Sequence, residues 1–279
     1  MFWNLLSIEH TKNFRRYTLR IEMIFLCAFL VLAYIVNGID LIQLQSGDTV
    51  YQPAVEALKA DMVWPQYLTI CTSFSTMFGG LLVIILVGAM TAQEYSWRTV
   101  SLQVGHGAPR LLLLTAKLVS FILPIFCLVV SPLVVGGIIS AIATYYFHIG
   151  INLSQVDFPN LALIVIGIAY SLLPQAAFTF LLAVLTRSTA AAIGIGMGYF
   201  QILENILAVI LLSLGGAGER IAYHLPGVMA NNINSIIQKN PSLIAPSTDL
   251  PAAVLGVAVY SLVFFLLAAW IFYRQDLGS

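Results

Sequence analysis

The chain has 279 residues, of which 60% are hydrophobic and only 9% charged, with 12 Lys and Arg balanced by 12 Asp and Glu. Soluble domains run near about 45–50% and about 25% in those classes, so this composition describes an integral membrane protein without a separate soluble catalytic domain. Zero net charge gives no argument for a nucleic-acid partner. The three cysteines, Cys27, Cys71 and Cys127, fall inside apolar runs, without metal-ligand spacing or a disulfide framework.

Residues 1–20 mix polar and apolar groups. Phe2, Leu5, Leu6 and Glu9 follow helical spacing, and Trp3 suits an interface. The reading taken is an interfacial helix, not a frayed tail, ended by Arg15, Arg16 and Arg20. Those charges, and the lack of a small-residue cleavage site after the first apolar run, argue against a cleavable signal peptide.

Six apolar runs follow, at residues 21–36, 67–92, 118–145, 158–185, 190–214 and 252–273. A crossing helix needs about 20 residues, so the first is short unless Glu22 sits at the headgroups. Between the first two runs lies a polar stretch, 37–66, with Asp40, Asp48, Glu56 and Asp61 and a possible surface helix at 54–60. Trp64 and Tyr67 anchor the second run at an interface, and Tyr145, Tyr146 and Phe147 mark the far end of the third. Residues 148–157 form a short loop, and Arg187, Ser188 and Thr189 a tight connection. The loop 215–250 interleaves Ile221, Leu225, Val228, Met229, Ile233, Ile236 and Ile237 with Asn231, Asn232 and Asn234. That pattern suits a re-entrant pair of half-helices or an interfacial helix. The fold class expected is all-α: a single six-span transmembrane domain.

The polar stretch 93–117 lies between the second and third spans and so faces water. Its first half reads as a short amphipathic helix, with Val100 and Val104 on one side and Arg98 and Ser101 on another. Gly105 and Gly107 end that helix, and Pro109 starts the next. Glu94 and Arg98 stand at i,i+4, an order that favours pairing. With both termini on one side, that side holds nine Lys and Arg and the other three, Lys59, Arg220 and Lys239. The positive-inside rule makes the nine-residue side, and both termini, cytoplasmic.

Enzyme signatures are missing: there is no HExxH, no GxSxG and no pair of carboxylates on one span. His10, His106, His148 and His224 sit in four separate segments, so no metal site is expected. No GxxxxGK[ST] occurs, so ATP-driven work would need a separate ATPase. Glu204 is the one carboxylate deep in a span, where an ionisable group is costly unless paired or hydrated. Gln201 and Asn205 lie within a turn of it, and Gly194 and Gly198 continue the face at GxxxG spacing. Two readings stand open: a polar patch lining a pathway or dimer seam, or a structural hydrogen bond to the N-terminus of an outer half-helix. Pro124, Pro132 and Pro174 each free a carbonyl and bend their spans, which is read as shape and not as a hinge. Gln175 is placed to satisfy such a carbonyl, and Gly79, Gly80, Gly136 and Gly137 allow close helix approach.

The stretch 94–117 resembles the first cytoplasmic loop of the ABC-2 family of ABC transporter permeases. The residues that carry the likeness are Glu94, Tyr95, Trp97, Thr99, Gly107, Arg110 and Lys117; Arg98 stands where the family usually has Gly. The resemblance implies a permease that is not itself an enzyme and works as a dimer with a second copy or a sibling permease. Two cytoplasmic ATPase subunits, which bind ATP and magnesium, would sit beneath it, in a membrane whose lipids surround the spans. The coupling contacts would be Glu94, Tyr95, Trp97, Arg98, Thr99, Arg110 and Lys117, aided by the N-terminal helix. The pathway would run between the halves near spans two and five, by Gly194, Gly198, Gln201, Glu204 and Asn205. The family also has outer half-helices between its last two spans, and moves drugs, antimicrobial peptides, lipids, polysaccharides and ions. The rival reading is a secondary transporter with Glu204 as its ion-coupling carboxylate; a single buried acid and no detectable inverted repeat weigh against it.

Overall fold

In hydrocarbon an unpaired backbone N–H or C=O costs several kcal/mol, so apolar runs of this length fold as internally bonded helices. The computed structural model of the chain describes residues 2–46, 52–97, 99–105, 109–149, 156–239 and 249–275. Among them all regular structure is helical. Six stretches are long and apolar enough to cross a membrane: Tyr17–Gln45, Tyr67–Tyr95, Arg110–Tyr146, Phe158–Thr186, Thr189–Leu214 and Leu250–Arg274. This is the all-α, six-span architecture that the apolar runs predict, and it makes the chain an integral membrane protein.

In chain order, α1 (Phe2–Arg15) leads into the first span, α2 (Tyr17–Ser46), and a small helix α3 (Gln52–Met62). The second span is α4 (Tyr67–Ser96), followed by the short α5 (Thr99–Gly105). The third is built from α6 (Arg110–Ser120) and α7 (Ile122–Tyr146), the fourth from α8 (Phe158–Ser171) and α9 (Leu173–Thr186). The fifth joins α10 (Thr189–Met197) through a π turn, Gly198–Leu203, to α11 (Glu204–Leu214). Two short helices, α12 (Ala217–Tyr223) and α13 (Pro226–Gln238), precede the last span, α14 (Leu250–Arg274).

Several boundaries move from their predicted places. The first span is not short: α2 continues through the expected loop to Ser46, because Leu41 packs with Val55 and Met62 of α3. Since α2 also begins earlier, Glu22 is not at its end. It shares a face with Leu19 and Leu26 and is buried in the core. The third span begins at Arg110, not at residue 118, because α6 is itself amphipathic and buries Leu113, Leu114 and Ala116. The breaks at Phe121 and Leu172 explain two of the prolines. Pro124 and Pro174 lie in the first turns of α7 and α9, where an N–H has no helical partner in any case. Only Pro132 sits inside a helix. Gln175 lies against Gly80, a glycine whose Cβ would overlap its amide. Asp48, Arg98, His106, Gly107 and the 240–248 part of the outer loop lie outside the described residues.

The core centres on α4. Its Leu82, Val83, Leu86 and Met90 join Ile125, Leu128 and Val129 of α7 and Phe180 of α9 in one apolar cluster. Gly136 of α7 makes the approach to α4 possible, since a Cβ there would overlap Cys71 Sγ. The first, fifth and sixth spans bury only 22% of their most apolar stretch. Their outward residues, such as Ile24, Phe25, Ile206, Val209, Leu262 and Leu266, form the exposed apolar surface that a bilayer covers.

The loop before the last span is re-entrant. Gly227, at the start of α13, bonds to Glu204, and His224 O accepts from Tyr260 Oη at 2.8 Å. Glu204 precedes the end of α11 at Leu214 by ten residues, and Tyr260 follows the start of α14 at Leu250 by ten. At 1.5 Å per residue the turn between α12 and α13 therefore reaches about 15 Å in from the helix ends. Half-helices at that depth need partners for their termini. Of the two alternatives open in the sequence, the structure takes the re-entrant pair.

Candidate functional site

Two polar sites interrupt the apolar body. The first joins α1 to the ends of α4 and α6. Glu94, near the end of α4, is only 3% exposed. Its Oε1 lies 2.7 Å from both Lys12 Nζ and Arg16 Nη2, and its Oε2 pairs with Lys117 Nζ. Glu9 Oε1 lies 3.0 Å from Lys12 Nζ and 3.2 Å from Lys117 Nζ. Arg16 Nη1 also donates to Met90 O at 2.6 Å, and Asn13 Nδ2 to Ser120 Oγ at 2.8 Å. Burial by itself would lower the pKa of Lys12, but Glu94 and Glu9 outweigh it and hold it above the ordinary lysine value. The cluster thus ties three separate helices together, with Glu9, Glu94 and Lys117 buried at its centre and Lys12 and Arg16 partly exposed at its edge.

α5 projects from this bearing. Thr99 Oγ1 donates to Glu94 O at 3.0 Å, closing the turn from α4 into α5. Gln103 Nε2 reaches Glu9 Oε1 at 3.4 Å, which attaches α5 to α1. Trp97 is 65% exposed and lies 5.9 Å from the Arg16 guanidinium, and Leu102 is 57% exposed. Arg110 Nη1, in the first turn of α6, donates to Tyr273 O and Gln275 O, each at 3.0 Å. It so satisfies carbonyls at the end of α14, where a cation is favoured.

The second site lies about 15 Å in from the opposite helix ends. Pro226 opens α13 without an N–H, and no side chain of α13 or its N-cap residue Leu225 caps the next two. Glu204 does so from α11: its Oε1 accepts from Gly227 N at 2.5 Å and Val228 N at 3.3 Å. A carboxylate at a helix N-terminus satisfies orphan donors and meets the positive end of the helix dipole. Asn205 Nδ2 donates to Phe200 O and Gln201 O at 3.2 and 3.0 Å, carbonyls of the π turn. Beside Glu204 lies a cavity of about 200 Å³. Thr76, Gln175, Phe200, Glu204, Gly227 and Asn231 are among the residues around it.

Residues 25–278 match the family described as Protein of unknown function (DUF2705). The chain belongs to that family. No curated protein matches it. In this DUF2705 chain the matched stretch holds Glu94, Lys117 and Glu204, whereas Glu9 and Lys12 of α1, and Arg16 just after it, precede the match.

The two groups of residues singled out in this DUF2705 sequence meet different fates. Glu94 and Lys117 are not surface contacts: they are the buried centre of the charge cluster. Glu94 has its partners in Lys12, Arg16 and Lys117, and Arg98 lies outside the described residues. Tyr95 packs half-buried on the core, Arg110 holds the end of α14, and Trp97 alone of the described set stands mostly in the open. On the fifth span, Glu204 is buried while Gln201 and Asn205 are exposed beside it. Nothing stands within 4 Å of a Cβ placed on Gly194 or Gly198, so that glycine face is open in the single chain. Sequence reading missed Lys12 and Arg16 as partners of Glu94, Glu9 as the second acid that shares Lys12 and Lys117 with it, and Thr76, Gln175 and Asn231 as neighbours of Glu204. A local signal existed for Glu9, Lys12 and Arg16, which fall on one helical face at spacings of three and four. The others come from three different helices and leave no local signal.

Proposed function

We propose that the chain is the membrane-embedded subunit of an ATP-driven exporter of the ABC-2 type, worked by a separate cytoplasmic ATPase dimer. One observation carries this reading. The short helix α5 stands outside the spans and is backed by the largely buried Glu9–Lys12–Arg16–Glu94–Lys117 cluster. A partner that pushes on α5 would move α1, α4 and α6 together, because separating those buried charges is costly. Trp97 and Leu102 are the apolar groups at the surface that such a partner would grip, and aromatic residues are frequent anchors of interfaces. The resemblance of 94–117 to the ABC-2 loop supports the same reading, as does the absence of a phosphate loop from the sequence. The second half of the transporter would be another copy or a sibling permease.

Epitope-tagged protein, purified from its native membrane, is expected to bring down a P-loop ATPase that hydrolyses ATP in the complex. Trp97→Asp together with Leu102→Asp should leave the protein folded in the membrane and remove the ATPase. A chain that purifies without any P-loop ATPase, while reconstituted vesicles transport on an ion gradient alone, would replace this reading by the secondary transporter that uses Glu204.

The cytoplasmic placement of α5 and both termini follows from nine basic residues against three. A cysteine at Glu56 or Lys239 is therefore expected to react with a membrane-impermeant maleimide on intact cells, and one at Gly105 only after the membrane is opened. Reaction at Gly105 on intact cells would invert the orientation and remove the ATPase contact with it.

A further inference from the structure

The cavity beside Glu204 has features that coupling to an ATPase leaves unused. Glu204 is 3% exposed and its Oε2 accepts no hydrogen bond; Gln175 Oε1, from α9, is likewise buried without a partner. Both groups occupy space that glycines leave for them. A Cβ on Gly227 would stand 2.9 Å from Glu204 Oε1, and one on Gly80 would overlap Gln175 Oε1. None of the ion pairs among the described residues involves Glu204. The N-terminus of α13 compensates Oε1 alone, so Oε2 presents acceptor capacity at membrane depth with no cation among the described residues paired to it. Phe200 and Val228 supply apolar wall to the same space.

Size narrows the ligand. The cavity, about 200 Å³, is several times the roughly 30 Å³ of one water, so a bare alkali ion would leave most of it empty. It is smaller than the sites of about 300–1,000 Å³ that take drug-sized molecules. An aromatic wall attracts an organic cation as well as an apolar group.

We propose that this cavity binds a small organic ammonium ion. Its N–H groups donate to Glu204 Oε2 and Gln175 Oε1, and its carbon part lies against Phe200 and Val228. The exposed carboxamides Gln201, Asn205 and Asn231 form the polar mouth by which it enters. Binding needs no ATPase; only the statement that the amine is cargo rests on the exporter reading.

The test is calorimetric titration of the full-length protein, in phosphatidylcholine nanodiscs, with n-butylammonium chloride. n-Butanol and sodium chloride are separate arms. Saturable binding of the amine is expected, with none for the alcohol or for sodium. Glu204→Gln keeps an oxygen for Gly227 and Val228 but loses the charge, and should weaken the amine by about tenfold or more, because charge-assisted hydrogen bonds are roughly twice as strong as neutral ones. Gln175→Leu, which leaves the helix cap alone, should also weaken it and decides the matter if Glu204→Gln does not fold. The site is overturned by absent amine binding, by equal binding of n-butanol, by sodium binding that excludes the amine, or by undiminished affinity in the variants that fold. No ATP is present, so failure here leaves the exporter reading standing, and failure to recover an ATPase leaves this site standing.

Discussion

Replacing Glu94 by alanine is expected to destabilise the folded protein by about 3–5 kcal/mol, the cost of breaking a buried ion pair from one side. The loss is large because one carboxylate serves Lys12, Arg16 and Lys117 at once, and Lys117 is itself only 6% exposed. Removing it leaves Lys12 and Lys117 with Glu9 alone and takes from Arg16 the carboxylate it pairs with. Charge reversal, Glu94→Lys, should be worse still. The informative comparison is a double variant, Glu94→Met with Lys117→Met. It removes a deeply buried pair as a pair, and apolar replacement of that kind is often neutral or stabilising. Thermal unfolding in detergent checks both: the single variant should melt well below the native protein and the double should recover much of the difference. Equal losses in the two variants, or no loss in either, would show that the cluster does not hold α1 to α4 and α6. The recovered double variant then asks the functional question, since it keeps Trp97 and Leu102 while loosening their support.

Glu204→Leu is expected to release the re-entrant pair α12–α13. The change leaves Gly227 N–H and Val228 N–H unpaired about 15 Å inside the protein, at about 1–3 kcal/mol for each buried donor. Pro226 has no N–H to lose, and the N-cap residue Leu225 offers no replacement acceptor. Hydrogen exchange read by mass spectrometry over residues 217–238 should speed up by roughly tenfold or more, since about 1.4 kcal/mol corresponds to a factor of ten. Glu204→Gln, which retains an acceptor oxygen, should stay close to native. Unchanged exchange in Glu204→Leu would mean that Tyr260 to His224 and the Ser171–Asn234 bonds hold the half-helices without the carboxylate. The two Glu204 variants thus separate a structural role, which needs an acceptor, from ligand binding, which needs the charge.

Of the two alternatives that the sequence left open for Glu204, the structure contains the structural bond. Oε1 makes the structural bond to a half-helix N-terminus, and Oε2 is left beside the cavity. Glu94 is buried among partners that its local sequence does not announce. An i,i+4 rule sees only the chain's own helix, and the groups that pair with Glu94 stand 82, 78 and 23 residues away, at Lys12, Arg16 and Lys117.

The sequence by itself determined the class of solvent and the number of spans. Those properties follow from residue-by-residue transfer out of water, which adds along the chain: 16-residue or longer apolar runs are local facts. It also marked the Asn- and Ile-rich loop before the last span as unsuited to open water. Only the tertiary structure decided that α2 runs on to Ser46, that a π turn interrupts the fifth span, and that Glu22 faces the core. It alone decided that Glu9, Lys12 and Arg16 close around Glu94, and that α4, α9, α11 and α13 enclose one cavity. These depend on which helices meet and at what height, and that is set by close packing at positions such as Gly80 and Gly136. Apolar spans are interchangeable to a hydropathy count, and shape complementarity between them is what tells one neighbour from another.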